Sequence, residues 1–184
     1  AVNTKRDVGS TVKPITDYAP AFEYLDVSTG KTIVDEPYKY VGTNTPVQNW
    51  DNKYWGTMTL RTALIESRNV PAVKLFNEVS ADKIEDFVSR LGIQYAKIQQ
   101  ANAISSNTVD QDGTKYGMSS LKLAAAYAAL SNGGTYNEPQ YVNKIVFADG
   151  SEEVEAFKTP GIKAMEETTA YMVTDILKGV IESG

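Results

Sequence analysis

Hydrophobic residues recur three and four positions apart along much of this chain, the spacing at which side chains share one face of an α-helix. Serine or threonine precedes several of these stretches, and glycine or proline bounds others, as is typical of helix ends. These signals predict helices that begin at Ser10, Thr59, Pro71, Ser80, Ser119 or Ser120, and about Glu166. The first should end near Tyr24 and the last near Ile181, so the chain is predicted to be mostly helical.

Other stretches lack the helical spacing. Residues 26–54 are rich in Thr, Gly, Pro and Asn and predict a long irregular crossing with short extended pieces. Loops of that length are uncommon unless they line a site or pack on themselves, and the Tyr and Trp residues here favour packing over a substrate wall. Asp149-Gly150 separates two runs that partly alternate, which predicts one small β-hairpin. Residues 101–116 are polar and predict a loop.

Composition narrows the class of protein. The chain has 184 residues, of which 42% are hydrophobic and 22% charged, as expected of one globular domain. Its formal net charge is −5, and no cluster of Lys and Arg is larger than the pair Lys5–Arg6. A surface that follows nucleic-acid phosphates needs a basic patch, so nucleic acid is not an expected partner.

Two absent residue types restrict the possible chemistry further. The chain contains no cysteine and no histidine. It therefore has no disulfide, no thiol nucleophile and no site built on Cys or His metal ligands. A serine nucleophile could not belong to a Ser-His-Asp triad, so its base would be a lysine, a carboxylate or a tyrosine. A lysine can serve when burial or a neighbouring charge lowers its pKa.

The stretch GSTVKP at residues 9–14 places Ser10 and Lys13 one helical turn apart. In one interpretation Ser10 caps a helix and Lys13 is a solvated charge in its first turn. In the other, Ser10 is a nucleophile and Lys13 its base, since residues at i and i+3 share a helix face. The pattern is weak alone, because Ser80 and Ser119 are also followed by a lysine three residues on, where caps explain it better.

The wider context favours the chemical interpretation. The motif GSTVKP is followed by NWDNKYWGTMTLRTALIESRNVPAV and then by LAAAYAALSNGGTY. In order and spacing these resemble the penicillin-binding transpeptidase family, and most of all its large bifunctional class A members from Gram-positive bacteria. The resemblance runs through nearly the whole chain. It implies an α+β, β-lactamase/transpeptidase-like fold, of which this chain holds mainly the helical part and one small β-hairpin, with the main antiparallel sheet largely absent.

The resemblance also implies roles for individual residues. Ser10 matches the acylated serine, and Lys13 matches the lysine that takes its proton. Ser67 matches the second serine, which helps relay a proton to the leaving nitrogen, and Asn69 matches the amide that orients the lysine and the substrate carbonyl. We expect these four side chains to converge within hydrogen-bonding reach. Arg68, at the variable middle position, should point away, and no cofactor or metal is implied.

One expected motif is missing. The family's third motif, Lys-Thr/Ser-Gly on a strand at the sheet edge, has no match here, because the nearest string, KTPG at 158–161, is interrupted by Pro160. The family's strands before Ser10 are also absent. Residues 1–184 are therefore expected to be a partial transpeptidase domain that lacks its N-terminal strands and its Lys-Thr-Gly strands. Alone, it should neither fold stably nor bind β-lactams. The segment 102–107 departs from the usual family sequence.

The implied function is DD-transpeptidation, in which peptidoglycan stem peptides ending in D-Ala-D-Ala are cross-linked through a serine acyl-enzyme that β-lactams also form. The partners would include a glycosyltransferase domain and the sheet strands of the same protein, at the extracytoplasmic face of the membrane and anchored by a segment outside this chain. One alternative is a serine β-lactamase or DD-carboxypeptidase that uses water as the acceptor. Another is a non-catalytic wall-binding domain, against which the intact Ser10, Lys13, Ser67 and Asn69 count.

Overall fold

The computed structural model describes residues 4–109, 115–153 and 159–183. Within these ranges the chain forms six α-helices: α1 Ala19–Tyr24, α2 Leu60–Ile65, α3 Asn69–Val79, α4 Ala81–Arg90, α5 Ser120–Ser131 and α6 Glu167–Ser183. Shorter helical turns cover Gly9–Val12, Pro14–Tyr18 and Gln100–Ala103. The helices predicted from Thr59 onward are confirmed, with ends that shift by a few residues, whereas the first predicted helix is interrupted. None of the described helices combines the length and apolar character needed to cross a bilayer.

The described strands pair into five separate two-stranded antiparallel sheets. The pairs are β1 Thr32–Asp35 with β4 Gly56–Thr59, β2 Tyr38–Lys39 with β3 Pro46–Val47, β5 Thr108–Val109 with β6 Lys115–Tyr116, β7 Thr135–Tyr136 with β10 Ile162–Lys163, and β8 Ile145–Val146 with β9 Glu152–Glu153. The last pair is the predicted hairpin, and Gly150 takes the positive φ of 84° that its turn requires. β1, β2 and β3 agree with the short extended pieces predicted within residues 26–54. The sequence did not predict how the strands of the other four pairs are partnered, because strands of two to four residues leave too little alternation to detect.

The first predicted helix, Ser10 to Tyr24, is divided into three kinds of turn. A 3₁₀ turn spans Gly9–Val12, a π-helical turn spans Pro14–Tyr18, and only then does α1 begin. Pro14 has no N–H to donate, so regular i→i−4 bonding cannot pass through it. Ser10 lies inside the 3₁₀ turn and no side-chain cap precedes it, which rules out the interpretation of Ser10 as a helix cap.

Two other serines were predicted as caps. Ser119 is the N-cap of α5, and its hydroxyl accepts the backbone N–H of Lys122 at 3.3 Å. Ser80 occupies the N-cap position of α4, but its side chain forms no capping hydrogen bond and its φ is 88°. The cap at Ser119 is therefore confirmed, and the one at Ser80 is correct in position only.

Helix α3 lies at the centre of the core. It packs against the Pro14–Tyr18 turn, α1, α2 and α4, while α6 packs against α1, α2 and α5. Most of the α3 side chains are buried, namely Val70, Pro71, Ala72, Val73, Leu75, Phe76 and Val79. The Pro14–Tyr18 turn is buried throughout. Because α3 begins at Asn69 and the π turn follows Lys13, this packing brings the two predicted motifs together.

Candidate active site

Lys13 is fully buried, and its ammonium group lies against the turn that precedes α3. Nζ donates to the carbonyl oxygen of Ser67 at 2.7 Å, to Ser67 Oγ at 3.1 Å and to Asn69 Oδ1 at 2.7 Å. The two carbonyl oxygens can only accept, whereas the Ser67 hydroxyl can accept or donate. An ammonium would use all its protons here. A neutral amine could donate to both carbonyls and accept a proton from Ser67 Oγ, so the site accommodates both charge states.

The environment of Lys13 shifts its protonation equilibrium toward the neutral amine. Burial lowers the pKa of Lys13 to about 8, and the positive charge of Arg68 adds to the effect, whereas Asp17 opposes it. A free lysine titrates near 10.4. No carboxylate forms an ion pair with Lys13 within the described residues. A pKa of about 8 leaves roughly a tenth of Lys13 unprotonated at pH 7, far more than for a free lysine, and a general base requires this neutral form.

Ser67 lies in the turn between α2 and α3, in an unusual backbone conformation. Its φ is 50°, a left-handed value that costs energy for any residue other than glycine. Backbone hydrogen bonds hold the turn: Ser67 N–H donates to Leu64 O at 3.0 Å, and Arg68 N–H donates to Ala63 O at 2.9 Å. This conformation directs both the carbonyl and the hydroxyl of Ser67 at Lys13.

Asn69 is the first residue of α3, and its side chain has one defined orientation. Nδ2 donates to the backbone carbonyl of Gln48 at 2.7 Å, which leaves Oδ1 facing Lys13 Nζ. Since a carbonyl can only accept, the amide nitrogen must be the atom that faces Gln48. Asn69 therefore presents an acceptor to the lysine, and its second amide proton has no acceptor among residues 4–109, 115–153 and 159–183.

Ser10 lies on the adjacent turn, exposed to solvent. The backbone N–H of Lys13 donates to Ser10 O, but the Ser10 hydroxyl forms no hydrogen bond with any described residue. Lys13, Ser67 and Asn69 thus converge as expected, whereas the Ser10 hydroxyl forms no hydrogen bond with any of the three. The reason is that every proton of the Lys13 ammonium is directed at Ser67 or Asn69. Ser10 and Lys13 are nonetheless only one turn apart along the backbone, because Lys13 directly follows the 3₁₀ turn that contains Ser10.

Residues far away in the sequence hold the turn that carries Ser10. Asp7 Oδ1 accepts from the backbone N–H groups of Gly9 and Ser106, at 3.0 Å each. Ser106 Oγ accepts from Val8 N–H at 3.1 Å and donates to the Arg6 carbonyl at 2.9 Å. These contacts tie segment 102–107 to the turn before Ser10. Sequence reasoning missed Asp7 and Ser106, because nothing local indicates a partner about a hundred positions away.

Arg68 points away from Lys13, as expected, but it is not solvated. Its side chain is fully buried and pairs with Asp35 and Asp51, both at 2.9 Å. The guanidinium also donates to Lys53 O at 2.5 Å and lies 4.4 Å from the ring centroid of Trp55. A hydrogen bond from Arg68 is the main cause that lowers the pKa of Asp51 to about 2. Arg68 thus fastens the 35–55 segment to the start of α3.

The aromatic residues of segment 26–54 differ in their surroundings. Tyr38 and Tyr40 pack against the core, as expected. Trp50 is 66% exposed, and its Nε1 donates to Glu66 O at 3.2 Å, next to Ser67. Packing therefore explains Tyr38 and Tyr40, whereas Tyr54 and Trp50 lie on the surface, Trp50 beside the candidate site. Within the described ranges, no cluster of three or more potential ligand side chains could hold a metal ion.

Comparison with known protein families shows which family the chain belongs to. The family model described as "Penicillin binding protein transpeptidase domain" matches residues 1–184. The chain belongs to this family. It is 57% identical over 185 residues to "Penicillin-binding protein 1A" of Streptococcus pneumoniae, a match that covers 100% of this chain and 25% of that protein. The chain therefore spans about a quarter of the length of this penicillin-binding relative.

Solved structures show the same transpeptidase fold. The D,D-transpeptidase domain of a peptidoglycan glycosyltransferase from Eggerthella lenta matches with a TM-score of 0.81 and 22% identity, over 100% of this chain and 50% of that one. Penicillin-binding protein A from M. tuberculosis, in an imipenem acyl-enzyme complex, matches with a TM-score of 0.77 and 20% identity, over 98% of this chain and 45% of that one. The predicted fold class and the family resemblance are confirmed.

Proposed function

We propose that this chain is the central part of a serine DD-transpeptidase domain that cross-links peptidoglycan stem peptides and is acylated by β-lactams. The observation that carries the proposal is the environment of Lys13. It is a fully buried lysine held by three neutral oxygen atoms, one turn from the exposed Ser10. Membership of the penicillin-binding transpeptidase family supports the same assignment.

The acylation step would use the residues of the candidate site as follows. Ser10 Oγ attacks the carbonyl carbon of the penultimate D-Ala while its proton passes to the Lys13 amine. The C–N bond then breaks, and a proton reaches the leaving nitrogen through the Ser67 hydroxyl, which lies 3.1 Å from Lys13 Nζ. Terminal D-Ala leaves as a neutral amine, and the ester on Ser10 remains. The Lys13 amine is regenerated by this transfer.

The second half of the reaction reverses these roles. An amine of a neighbouring stem peptide attacks the ester and gives up a proton to the Lys13 amine. The proton returns to Ser10 Oγ as the ester bond breaks, which leaves a new amide. A β-lactam would enter at the first step, with its ring amide in place of the D-Ala-D-Ala bond. The second amide proton of Asn69 is suited to bind a substrate carbonyl.

We propose further that this domain works within a larger protein. Its Lys-Thr-Gly strand and sheet, a glycosyltransferase domain and a membrane anchor would come from other segments of that protein, at the extracytoplasmic face of the membrane. The fourfold greater length of the Streptococcus pneumoniae relative is consistent with such an arrangement.

Covalent labelling tests the nucleophile. The full-length protein is incubated with a fluorescent penicillin, and the adduct is located by peptide mapping. We expect a single adduct on Ser10, complete loss of labelling in Ser10→Ala, and normal labelling in Ser80→Ala, whose serine is also followed by a lysine three residues on. An adduct elsewhere would contradict the assignment. Rapid turnover of the penicillin by the full-length protein would favour the β-lactamase alternative.

A further inference from the structure

Asn49 lies beneath the first turn of α3, outside the motif positions. It is 3% exposed. Its Oδ1 accepts the backbone N–H groups of Asn69 at 2.8 Å and Val70 at 3.2 Å. The first N–H groups of a helix have no partner within the helix, and a side chain just before it normally supplies one. Arg68 precedes α3 and forms no such cap, so Asn49 supplies the cap from twenty positions away.

Both protons of the Asn49 amide nitrogen also have hydrogen-bond acceptors. Nδ2 donates to Asp35 Oδ1 at 2.7 Å and to Lys53 O at 2.8 Å. Two N–H groups face one end of the amide and two oxygens face the other, which defines its orientation. The other carboxylate oxygen of Asp35 accepts from Arg68 at 2.9 Å. Asn49 is therefore held in place by a buried ion pair and carries no charge of its own.

Residues 48 and 49 together hold the backbone and the side chain of Asn69 by hydrogen bonds. Asn49 binds its backbone N–H, and the carbonyl of Gln48 binds its side-chain Nδ2 at 2.7 Å. With both held, Asn69 Oδ1 remains directed at Lys13 Nζ, 2.7 Å away. The position of the Lys13 amine thus depends on a side chain that touches neither Lys13 nor Ser10.

We propose that Asn49 is a positioning residue for acyl transfer, which fixes the start of α3 so that Asn69 and Ser67 hold the Lys13 amine beside Ser10. This inference rests on the proposed function, in which Lys13 is the base. An asparagine suits the position because it offers acceptor and donors without a charge. Alanine would remove both, and aspartate would keep the acceptor while it placed a second carboxyl group against Asp35.

Loss of the cap should affect Lys13 in two measurable ways. If α3 no longer begins where Asn49 holds it, Asn69 Oδ1 moves away and the amine loses its alignment with Ser10. A misplacement of about 1 Å can lower a rate on the order of 10²-fold. The ammonium also loses an acceptor that stabilises its charged form, so the pKa of Lys13 should fall. The acid limb of the pH profile for acylation should then move to lower pH.

The experiment uses the full-length protein and separates penicillin binding from the acylation step by stopped-flow kinetics. For Asn49→Ala we expect an acylation rate constant lower on the order of 10²-fold, nearly unchanged binding before acylation, and an acid limb at lower pH. Asn44→Ala is the matched control, because Asn44 is an exposed asparagine of the same segment. A purely structural role for Asn49 would lower the melting temperature and leave the acid limb and the acylation constant of the folded protein unchanged.

Asn49→Asp keeps the proposal falsifiable if the alanine protein does not fold. Next to the buried Asp35 the new carboxyl group should stay protonated, so that its carbonyl oxygen accepts both N–H groups and its O–H donates to Asp35 Oδ1. We expect it to acylate within about tenfold of the native protein, because the cap is retained. Acylation as slow as that of Asn69→Ala would overturn the positioning role. If Lys13→Arg acylates normally, the proposed function fails instead, so the two failures are distinguishable.

Discussion

Lys13 contacts the α2–α3 turn and Arg68 is part of it; both are fully buried basic residues, and their charges are compensated in different ways. Arg68 is paired with two carboxylates, those of Asp35 and Asp51. Lys13 is surrounded by neutral acceptors on Ser67 and Asn69. A guanidinium between carboxylates stays charged, whereas a buried ammonium without a counter-charge readily loses its proton. The difference in compensation separates a cation that holds the fold together from one that can act as a base.

Asp17, four residues after Lys13, is the acidic group that affects the pKa of Lys13. Asp17 is completely buried, burial raises its pKa well above the usual range, and its Oδ2 has no hydrogen-bond partner. The Thr16 hydroxyl lies 3.0 Å from Val12 O and 3.1 Å from Asp17 Oδ1. A hydroxyl has one proton, so both contacts are hydrogen bonds when Asp17 is a protonated acid that donates to Thr16. In that protonated form Asp17 no longer opposes the loss of the proton from Lys13.

The largest effect is expected for Lys13→Arg. Arginine keeps the positive charge but cannot give up its proton in a protein, so it cannot serve as a base. Acylation by a fluorescent penicillin should fall by orders of magnitude while circular dichroism shows an unchanged fold. Near-normal labelling of the folded variant would mean that Lys13 does not act as the base.

Arg68→Met should destabilise the domain strongly. It leaves the fully buried Asp35 without its cation, a change that typically costs roughly 3–5 kcal/mol. Urea unfolding of the full-length protein would measure the loss. Arg61→Met is the matched control, because Arg61 pairs with Asp175 on the surface, where each side chain is about a third exposed and the pair is worth about 0–1 kcal/mol. Equal losses in both variants would contradict the structural role of Arg68.

The rate of acylation should depend on pH through Lys13. Because its pKa lies at about 8, the active amine becomes scarcer below that pH, and the rate should fall roughly tenfold per pH unit. The same shift affects stability: between about pH 8 and 10.4 the unfolded chain keeps a proton on Lys13 that the folded state has released. This group's contribution to stability therefore rises with pH in that window. A flat rate profile between pH 6 and 8 would contradict the amine as the active form.

The smallest effect is expected for Asp17→Asn. If Asp17 is a neutral acid, an amide of the same shape changes no charge near Lys13. The acid limb of the acylation profile should stay where it is in the native protein. A shift of that limb to lower pH would show that the variant had removed an anion, and thus that Asp17 is ionised and partly compensates Lys13.

Much of this arrangement could be predicted from local sequence. Hydrophobic spacing located the helices, Ser119 predicted its cap, and Asp149-Gly150 predicted the hairpin. The family context selected Lys13, Ser67 and Asn69 together, and the structure brings them within hydrogen-bonding distance. Their catalytic roles remain predictions. These successes share a physical basis, since caps, turns and helix faces are set by residues a few positions apart.

The parts that sequence reasoning missed depend on distant contacts. Arg68 meets Asp35 from 33 positions away, and Asn49 meets Asn69 from twenty. An aspartate in an irregular loop and an arginine in a variable position carry no local sign of pairing. The interruption of the first helix was missed for another reason, because Pro14 was assigned to the first turn of a helix that begins at Ser10, where proline is tolerated. Its missing donor instead separates a 3₁₀ turn from a π turn.

The long separations in sequence also bear on how the domain folds. The hydrogen bonds of Lys13 close loops of 54 and 56 residues, and the bond from Tyr127 OH to Thr11 O, 3.0 Å long, closes one of 116. Contacts between residues so far apart form slowly, because closing the loop costs chain entropy before the contact contributes any stabilisation. Helices form from local contacts within microseconds. During refolding, helical circular dichroism should therefore recover before reactivity toward penicillin. The rate at which covalent labelling recovers then measures how fast the last long-range contacts of the site form.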